Sequence, residues 1–471
     1  MGTPASRLRW ASRLCGLVGL CTCQVVDAPP DPTVLRLPTG AVLAPSGQWL
    51  LVVNSNLDEA NTGSTLVSLD LGRLWDALDD EPLAEGGTTT DKRPCRTSTV
   101  GEDAREIVEC DARRLIAAEH TVEFPSGGGN IGVDFPTGED GPMRLLIPSS
   151  IDRAVTWIDV LFAEDDDIDA VACGQKPRRC ADDHVLTQLN KSVDCDGNTL
   201  TSLPGDPGRI AVGMGKHRYA YLPHLLGAGL TLVSLSGANG PELTYVACGF
   251  FDDGDDNQPY DGGFGVVERA CDPAAPLEVA RDCSRPTLLT SFRFQPAVRL
   301  FTVRTGGDDI APQRSYVLTD VNSGAVSDRP EMGELQFEDP STGDRLLLVR
   351  TTPPALTVAN AITDEDGVLQ ISPVAKADLC RNPNVLTVYR PGAGENIAFV
   401  SCYSDDEVAA VMLGSLATVT IDVDDGPNDM VVDYLRHKLY VINTQSSTIT
   451  IIELERTPEF LQVVGRVGLT D

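Results

Sequence analysis

The sequence predicts an all-β fold, and three observations carry the prediction. Residues 426–454 run as an apolar strand, a polar turn, the β-rich strand Tyr440-Val441-Ile442-Asn443, a second polar turn and a third β-branched strand. That order is one antiparallel sheet unit. Weaker copies of the unit recur along the chain. Glycine and proline number 43 and 32 of 471 residues, above their usual share, which favours turns over long helices. One such sheet cannot bury both of its faces, whereas sheets stacked face to face around an axis do. The expectation is a single β-propeller of about seven four-stranded blades, with disulfide-pinned loop insertions.

The units follow in order. Residues 42–55 and 64–71 make the first. Residues 130–134, 144–148 and 154–160 make a second, and 208–212, 218–222 and 230–235 a third. Residues 292–320 and 345–360 are weaker copies, 396–401 with 407–413 is another, and 426–454 is the best. In each, β-branched residues alternate with Gly, Asn, Asp and Ser turns. The tail strand 460–467 is expected to close the ring by joining the blade of the N-terminal strand 34–37. The propeller is expected over 34–471, with insertions at about 72–120, 163–203 and 238–286. The first insertion carries a short helix near residues 74–78. These long loops either bear function or are simply held down by disulfides.

The N-terminus reads as an export signal over residues 1–22. Arg7, Arg9 and Arg13 precede a short apolar stretch, 14–20, too short to span a bilayer. Leu20-Cys21-Thr22-Cys23 resembles the lipobox of bacterial lipoproteins, with Thr22 where a smaller residue is usual. Cys23 is the expected lipidated residue, and 23–33 a tether. The chain is expected to be exported and lipid-anchored at the cell envelope, at the outer membrane or in the periplasm, or secreted if cleaved without lipid. Contact with a membrane is expected through that anchor only.

Of 13 cysteines, Cys15, Cys21 and Cys23 lie in or beside the signal, which leaves an even set suited to disulfides in an oxidising compartment. Short loops favour Cys95–Cys110, Cys271–Cys283 and Cys380–Cys402. Cys173, Cys180, Cys195 and Cys248 stay open. No spacing among them is a zinc pattern.

The net charge of −32 repels nucleic-acid phosphate, so no nucleic-acid partner is expected. Acidity serves solubility, Ca²⁺ binding or a basic partner. Asp253, Asp255 and Asn257 alternate within the densest acidic cluster and are the candidate ligands for Ca²⁺, a hard cation. An EF-hand template fails there, because Gln258 and Phe264 occupy its Gly and Glu positions. Asp165, Asp166, Asp167 and Asp169 form a second cluster, and Asp422, Asp424 and Asp425 a third. Solvated acidic turns are the plainer account of all three. The histidines are His120, His184, His217, His224 and His437, scattered rather than grouped. No nucleophile elbow or phosphate loop is present, and no residue stands out as catalytic. Gly127-Gly128-Gly129-Asn130 sits where a repeat begins and reads as a turn.

Tyr440-Val441-Ile442-Asn443, preceded by Gly426-Pro427, resembles the YVTN-type β-propeller repeat of surface-layer and lactonase-like proteins. Val52-Val53-Asn54-Ser55 and Phe399-Val400-Ser401-Cys402 keep its shape. The resemblance implies the fold and leaves function open, because propellers serve enzymes and binders alike. The expected function is non-catalytic binding of a protein or other ligand at the cell surface or in the periplasm, with no cofactor beyond Ca²⁺. A lactonase-like hydrolase and a structural component of an envelope complex are the alternatives.

Overall fold

A computed structural model describes residues 31–56, 63–79, 83–100, 105–138, 141–164, 166–174, 178–189, 202–213, 218–226, 230–237, 239–247, 262–270, 286–293, 295–303, 310–317, 331–365 and 369–468. Cys23, Cys195, His217, Cys248, Asp253, Asp255, Asn257, Cys271 and Cys283 lie outside the described residues.

The strands form seven consecutive sheets, the blades of one propeller. Blade 1 is Pro38–Leu43, Trp49–Asn54, Ser64–Asp70 and Val122–Phe124. Blade 2 is Gly132–Asp134, Met143–Ser149, Ala154–Phe162 and Ile168–Ala172, with Val185–Leu186 added to its third strand. Blade 3 begins with the broken strand Gly205–Pro207 and Ala211–Val212, then Tyr219–Leu226, Leu230–Ser234 and Glu242–Ala247. Blade 4 is Gly263–Arg269, Thr287–Phe292, Gln295–Val303 and Ile310–Val317. Blade 5 is Glu331–Phe337, Arg345–Thr352, Ala355–Thr363 and Leu369–Asp378. Blade 6 is Pro383–Tyr389, Ile397–Cys402, Glu407–Met412 and Thr418–Asp422. Blade 7 is Pro427–Asp433, Lys438–Asn443, Thr448–Glu453 and Val463–Gly468.

The apolar core is divided among the gaps between blades. Successive side chains of a strand point to opposite faces, so one strand feeds two gaps. Leu50 and Val52 pack towards Tyr440 and Ile442 of blade 7. Leu51 and Val53, their neighbours in sequence, pack towards Leu145 and Ile147 of blade 2. The same division repeats around the ring. Leu146 meets Leu222 between blades 2 and 3, and Leu232 meets Leu288 between blades 3 and 4. Leu289 meets Leu348 between blades 4 and 5, and Val349 meets Val400 between blades 5 and 6. Phe399 meets Val441 between blades 6 and 7. Middle strands therefore carry near-continuous apolar runs, and each fully buried Leu or Val contributes about 1.5–3 kcal/mol.

Hydroxyls at the ends of second strands stitch blades together. Ser291 Oγ donates to Gly333 O at 2.7 Å, Thr351 Oγ1 to Pro383 O at 2.8 Å, and Thr444 Oγ1 to Pro38 O at 2.6 Å. Each reaches the first strand of the next blade, which explains a polar residue at the close of an apolar run. Gly128, in the glycine-rich turn, approaches its neighbours closely: a Cβ there would stand 2.8 Å from Val53 Cγ1 and Phe124 Cε2.

Ring closure differs from the expectation. The tail strand Val463–Gly468 stays in blade 7, and the N-terminal strand Pro38–Leu43 is the inner strand of blade 1. Four C-terminal strands complete the last blade without a donor from the chain's start. Its open outer edge, which would otherwise expose unpaired backbone groups, is taken by a hairpin from the blade 1 insertion. Arg105–Asp111 runs parallel to Val463–Gly468, pairing Val108 with Gly465 and Cys110 with Val467, and Cys95–Val100 pairs antiparallel outside it. The expected Cys95–Cys110 disulfide joins the two strands of this hairpin. The expected helix is present as Leu71–Asp79, and its Trp75 Nε1 donates to Tyr440 Oη at 3.2 Å.

Cys380–Cys402 also forms, tying the link after blade 5 to the second strand of blade 6. Cys173 pairs with Cys180, a short loop whose pairing had been open. Two blade strands, Glu242–Ala247 and Gly263–Arg269, fall within the span 238–286.

Candidate functional site

The first strand of each blade lines the ring axis, where it has no strand partner on its inner edge. Side chains supply the missing bonds. Asn428 Nδ2 donates to Thr39 O at 3.4 Å, and Thr39 Oγ1 to Gly128 O at 2.6 Å. Asn130 accepts from Ile210 N at 3.0 Å and donates to Ile210 O at 3.4 Å, imitating a strand partner. Gln336 Nε2 donates to Leu386 O at 2.9 Å. Blades 7, 1, 2 and 3, and again 5 and 6, are thus linked along the axis.

Three charged residues converge within this lining. Arg209, in the break of the first strand of blade 3, places Nη2 3.0 Å from Asp429 Oδ1 of blade 7. Its Nε lies 3.2 Å from Glu334 Oε1 of blade 5. The second oxygens are also engaged. Asp429 Oδ2 accepts from Ala41 N of blade 1 at 3.0 Å, and Glu334 Oε2 from Leu386 N of blade 6 at 2.9 Å. The side chains keep only 19%, 13% and 7% exposure for Arg209, Glu334 and Asp429. Five of the seven blades therefore meet in one charge-assisted network.

Burial dominates its electrostatics. It raises the Glu334 carboxyl above its ordinary value, and the Arg209 cation offsets only part of that rise. Burial also acts against the Arg209 cation, but Glu334 and Asp429 outweigh it and hold the guanidinium charged. A general base needs a free lone pair within reach of a substrate proton. Each carboxylate oxygen here already has one partner: Asp429 is hydrogen-bonded to Arg209 and to Ala41 N, and Glu334 faces Arg209 by charge alone and accepts from Leu386 N. The network can brace the axis, and its engaged oxygens are poorly suited to proton transfer.

No sequence motif marked Arg209, Glu334 or Asp429. The usable signal was positional: a charged residue in the first strand of three separate units.

The other sequence candidates disperse. Of the third acidic cluster, Asp424 accepts from Thr448 Oγ1 at 2.6 Å and pairs with Arg466, which makes it a turn-holding residue. Among the described residues, no group of three His, Cys, Asp or Glu side chains is placed to hold a metal ion. His184 stacks on Trp157 at 3.6 Å, and His120 meets Trp49 edge-on at 5.9 Å. His224 lies within the strand Tyr219–Leu226, fully buried, with Nε2 2.7 Å from Thr231 Oγ1. Burial lowers its pKa to about 3, so it is neutral.

His437 stands in the turn between the first two strands of blade 7, at φ 53°, and its Nδ1 lies 2.7 Å from Tyr389 Oη. The pair lines a half-open cleft of about 180 Å³ at the border of blades 6 and 7, with Ile397, Leu454 and Phe460 as its apolar wall.

No family model matches the chain. No curated protein matches it significantly either. Solved structures resemble its fold at low identity. The periplasmic gluconolactonase of Pseudomonas aeruginosa is 12% identical with a TM-score of 0.48, over 83% of this chain and 87% of that one. A 6-phosphogluconolactonase-like protein of Bacteroides uniformis is 9% identical with a TM-score of 0.48, over 85% and 88%. The hydrazine synthase of Kuenenia stuttgartiensis is 10% identical with a TM-score of 0.49, over 93% and 99%. At these values the likeness carries no functional argument, and the fold rests on the seven sheets themselves.

Proposed function

We propose that the chain is a non-catalytic binding propeller of the cell envelope. In this reading it is exported, anchored by lipid on Cys23, and engages a protein or other ligand through its rims. The observation that supports it most is the state of the axis. The charged groups that converge there, Arg209, Glu334 and Asp429, face one another and main-chain amides, so among the described residues every carboxylate oxygen of the cluster already has a partner. A rigid ring with long disulfide-held loops is a platform on which binding residues are presented. The net charge of −32 favours a basic partner over nucleic acid or an anionic surface. Ca²⁺ at Asp253, Asp255 and Asn257 belongs to the same proposal.

The test uses the soluble chain starting after Cys23, offered glucono-δ-lactone and 6-phosphogluconolactone. The expected result is hydrolysis no faster than the uncatalysed background. Saturable turnover by the purified protein defeats the proposal in favour of a lactonase-like hydrolase. Labelling of the full chain with palmitate, lost in Cys23→Ala, checks the anchor.

A further inference from the structure

We infer that the cleft between blades 6 and 7 is a binding site for a small apolar zwitterion, an α-amino acid with a branched or aromatic side chain. The inference rests on the proposed role as a binder and names a ligand class for it.

The cleft combines an apolar wall with two charges of opposite sign that form no ion pair among the described residues. Ile397, Leu454 and Phe460 form the wall. At about 180 Å³ the cleft exceeds the ~150 Å³ that suffices to hold benzene in an apolar cavity. It therefore accepts one ring or one branched aliphatic group. Arg456 lies at its edge, with its guanidinium 5.7 Å from the centre of the Phe460 ring. Among the described residues its contacts are with the Phe460 ring and, electrostatically, with Tyr389, and it makes no ion pair. Glu455 lines the same cleft, and its carboxylate has no partner among them either. The Glu455 backbone is engaged at both ends: its N–H donates to Glu453 Oε1 at 2.9 Å and its carbonyl accepts from Thr457 N at 2.8 Å.

This contrasts with the charges just behind. Lys438 and Glu453 are paired at 3.0 Å, and Arg436 and Asp433 at 3.0 Å. Two adjacent residues of opposite charge at an apolar mouth, neither in an ion pair among the described residues, discriminate by sign. Glu455 repels a simple carboxylate and Arg456 a simple ammonium. A ligand carrying both groups on one carbon satisfies both residues while its side chain enters the wall. The floor is held rigid by the 2.7 Å contact of Tyr389 Oη with His437 Nδ1 and by the 5.7 Å contact of the Tyr389 and Tyr434 rings. The floor needs no rearrangement, and the ordering cost of binding falls on the exposed Glu455 and Arg456 side chains.

Isothermal titration of the soluble chain tests this, with L-phenylalanine and L-leucine as probes. N-acetyl-phenylalanine stands in for a polypeptide C-terminus and phenylalaninamide for an N-terminus. The expected result is saturable binding of the free amino acids, weakened about tenfold in Arg456→Ala and again in Glu455→Gln, as befits losing one charge-assisted bond each. Both side chains are exposed, so circular dichroism of the variants stays that of the parent. The inference is overturned by absence of saturable binding at millimolar ligand. It is also overturned by equal affinity for N-acetyl-phenylalanine or phenylalaninamide, which assigns the cleft to a chain terminus, or by unchanged affinity in both variants. None of these outcomes touches the binder proposal itself, which only lactone turnover defeats.

Discussion

Arg209 Nη2 and Asp429 Oδ1 meet at 3.0 Å across the axis of the ring, although 220 positions separate the two residues in sequence. The contact joins blade 3 to blade 7 directly, without passing through the blades between. With Glu334 it makes the axis a braced centre.

Breaking that centre is costly in one direction only. Arg209→Ala leaves Glu334 and Asp429 buried without their cation, and about 3–5 kcal/mol of stability is lost. Replacing all three, as Arg209→Met with Glu334→Leu and Asp429→Leu, restores most of the loss, because desolvation of three charges is removed together with their attraction. Chemical denaturation of the single and triple variants measures both. A single variant as stable as the parent contradicts the bracing role.

His224 gives the fold an acid-sensitive component. Its pKa is lowered by burial to about 3 in the folded chain, against 6.5 when exposed. The unfolded chain therefore binds the extra proton first as pH falls. The contribution is whole above pH 6.5 and is lost progressively between 6.5 and about 3. The slope reaches at most about 1.4 kcal/mol per pH unit. His224→Gln flattens it over that window, and the difference between parent and variant denaturation curves from pH 7 to pH 4 isolates the effect. Identical pH profiles for the two exclude it.

The hairpin clasp is expected to behave as one unit with the C-terminal strand. Cys95 and Cys110 close a loop of sequence separation 15, for which a disulfide contributes about 3 kcal/mol. In Cys95→Ala/Cys110→Ala the hairpin loses that constraint, and amide exchange at residues 105–111 and 463–468 accelerates together, because the two strands share their ladder. Faster exchange in the hairpin alone shows that the C-terminal strand holds its place without it.

Much of the fold was legible because its signals are local. Alternation of apolar residues and turn chemistry specify a strand pair from a dozen residues, as 426–454 shows. The pairings Cys95–Cys110 and Cys380–Cys402 followed from short loops. Blades 4 and 5 were faint because their strands, Gln295–Val303 and Arg345–Thr352 among them, carry arginines that blur the apolar pattern: Arg299 and Arg350 are buried. Closure was misplaced. A lone tail strand gives no hint whether it completes its own blade or another's, and the partner on its far edge comes from a loop more than three hundred residues earlier.

The all-β class, the repeated sheet unit and the pairings Cys95–Cys110 and Cys380–Cys402 are readable from residues near one another along the chain, whereas Cys173–Cys180 is not. That Arg209, Glu334 and Asp429 share one network, that Arg105–Asp111 seals blade 7, and that Glu455 and Arg456 flank an apolar cleft comes from the folded arrangement alone. The physical reason is curvature: wrapping seven sheets about an axis brings distant inner strands within hydrogen-bond range, and no periodicity along the chain encodes which side chains then face one another.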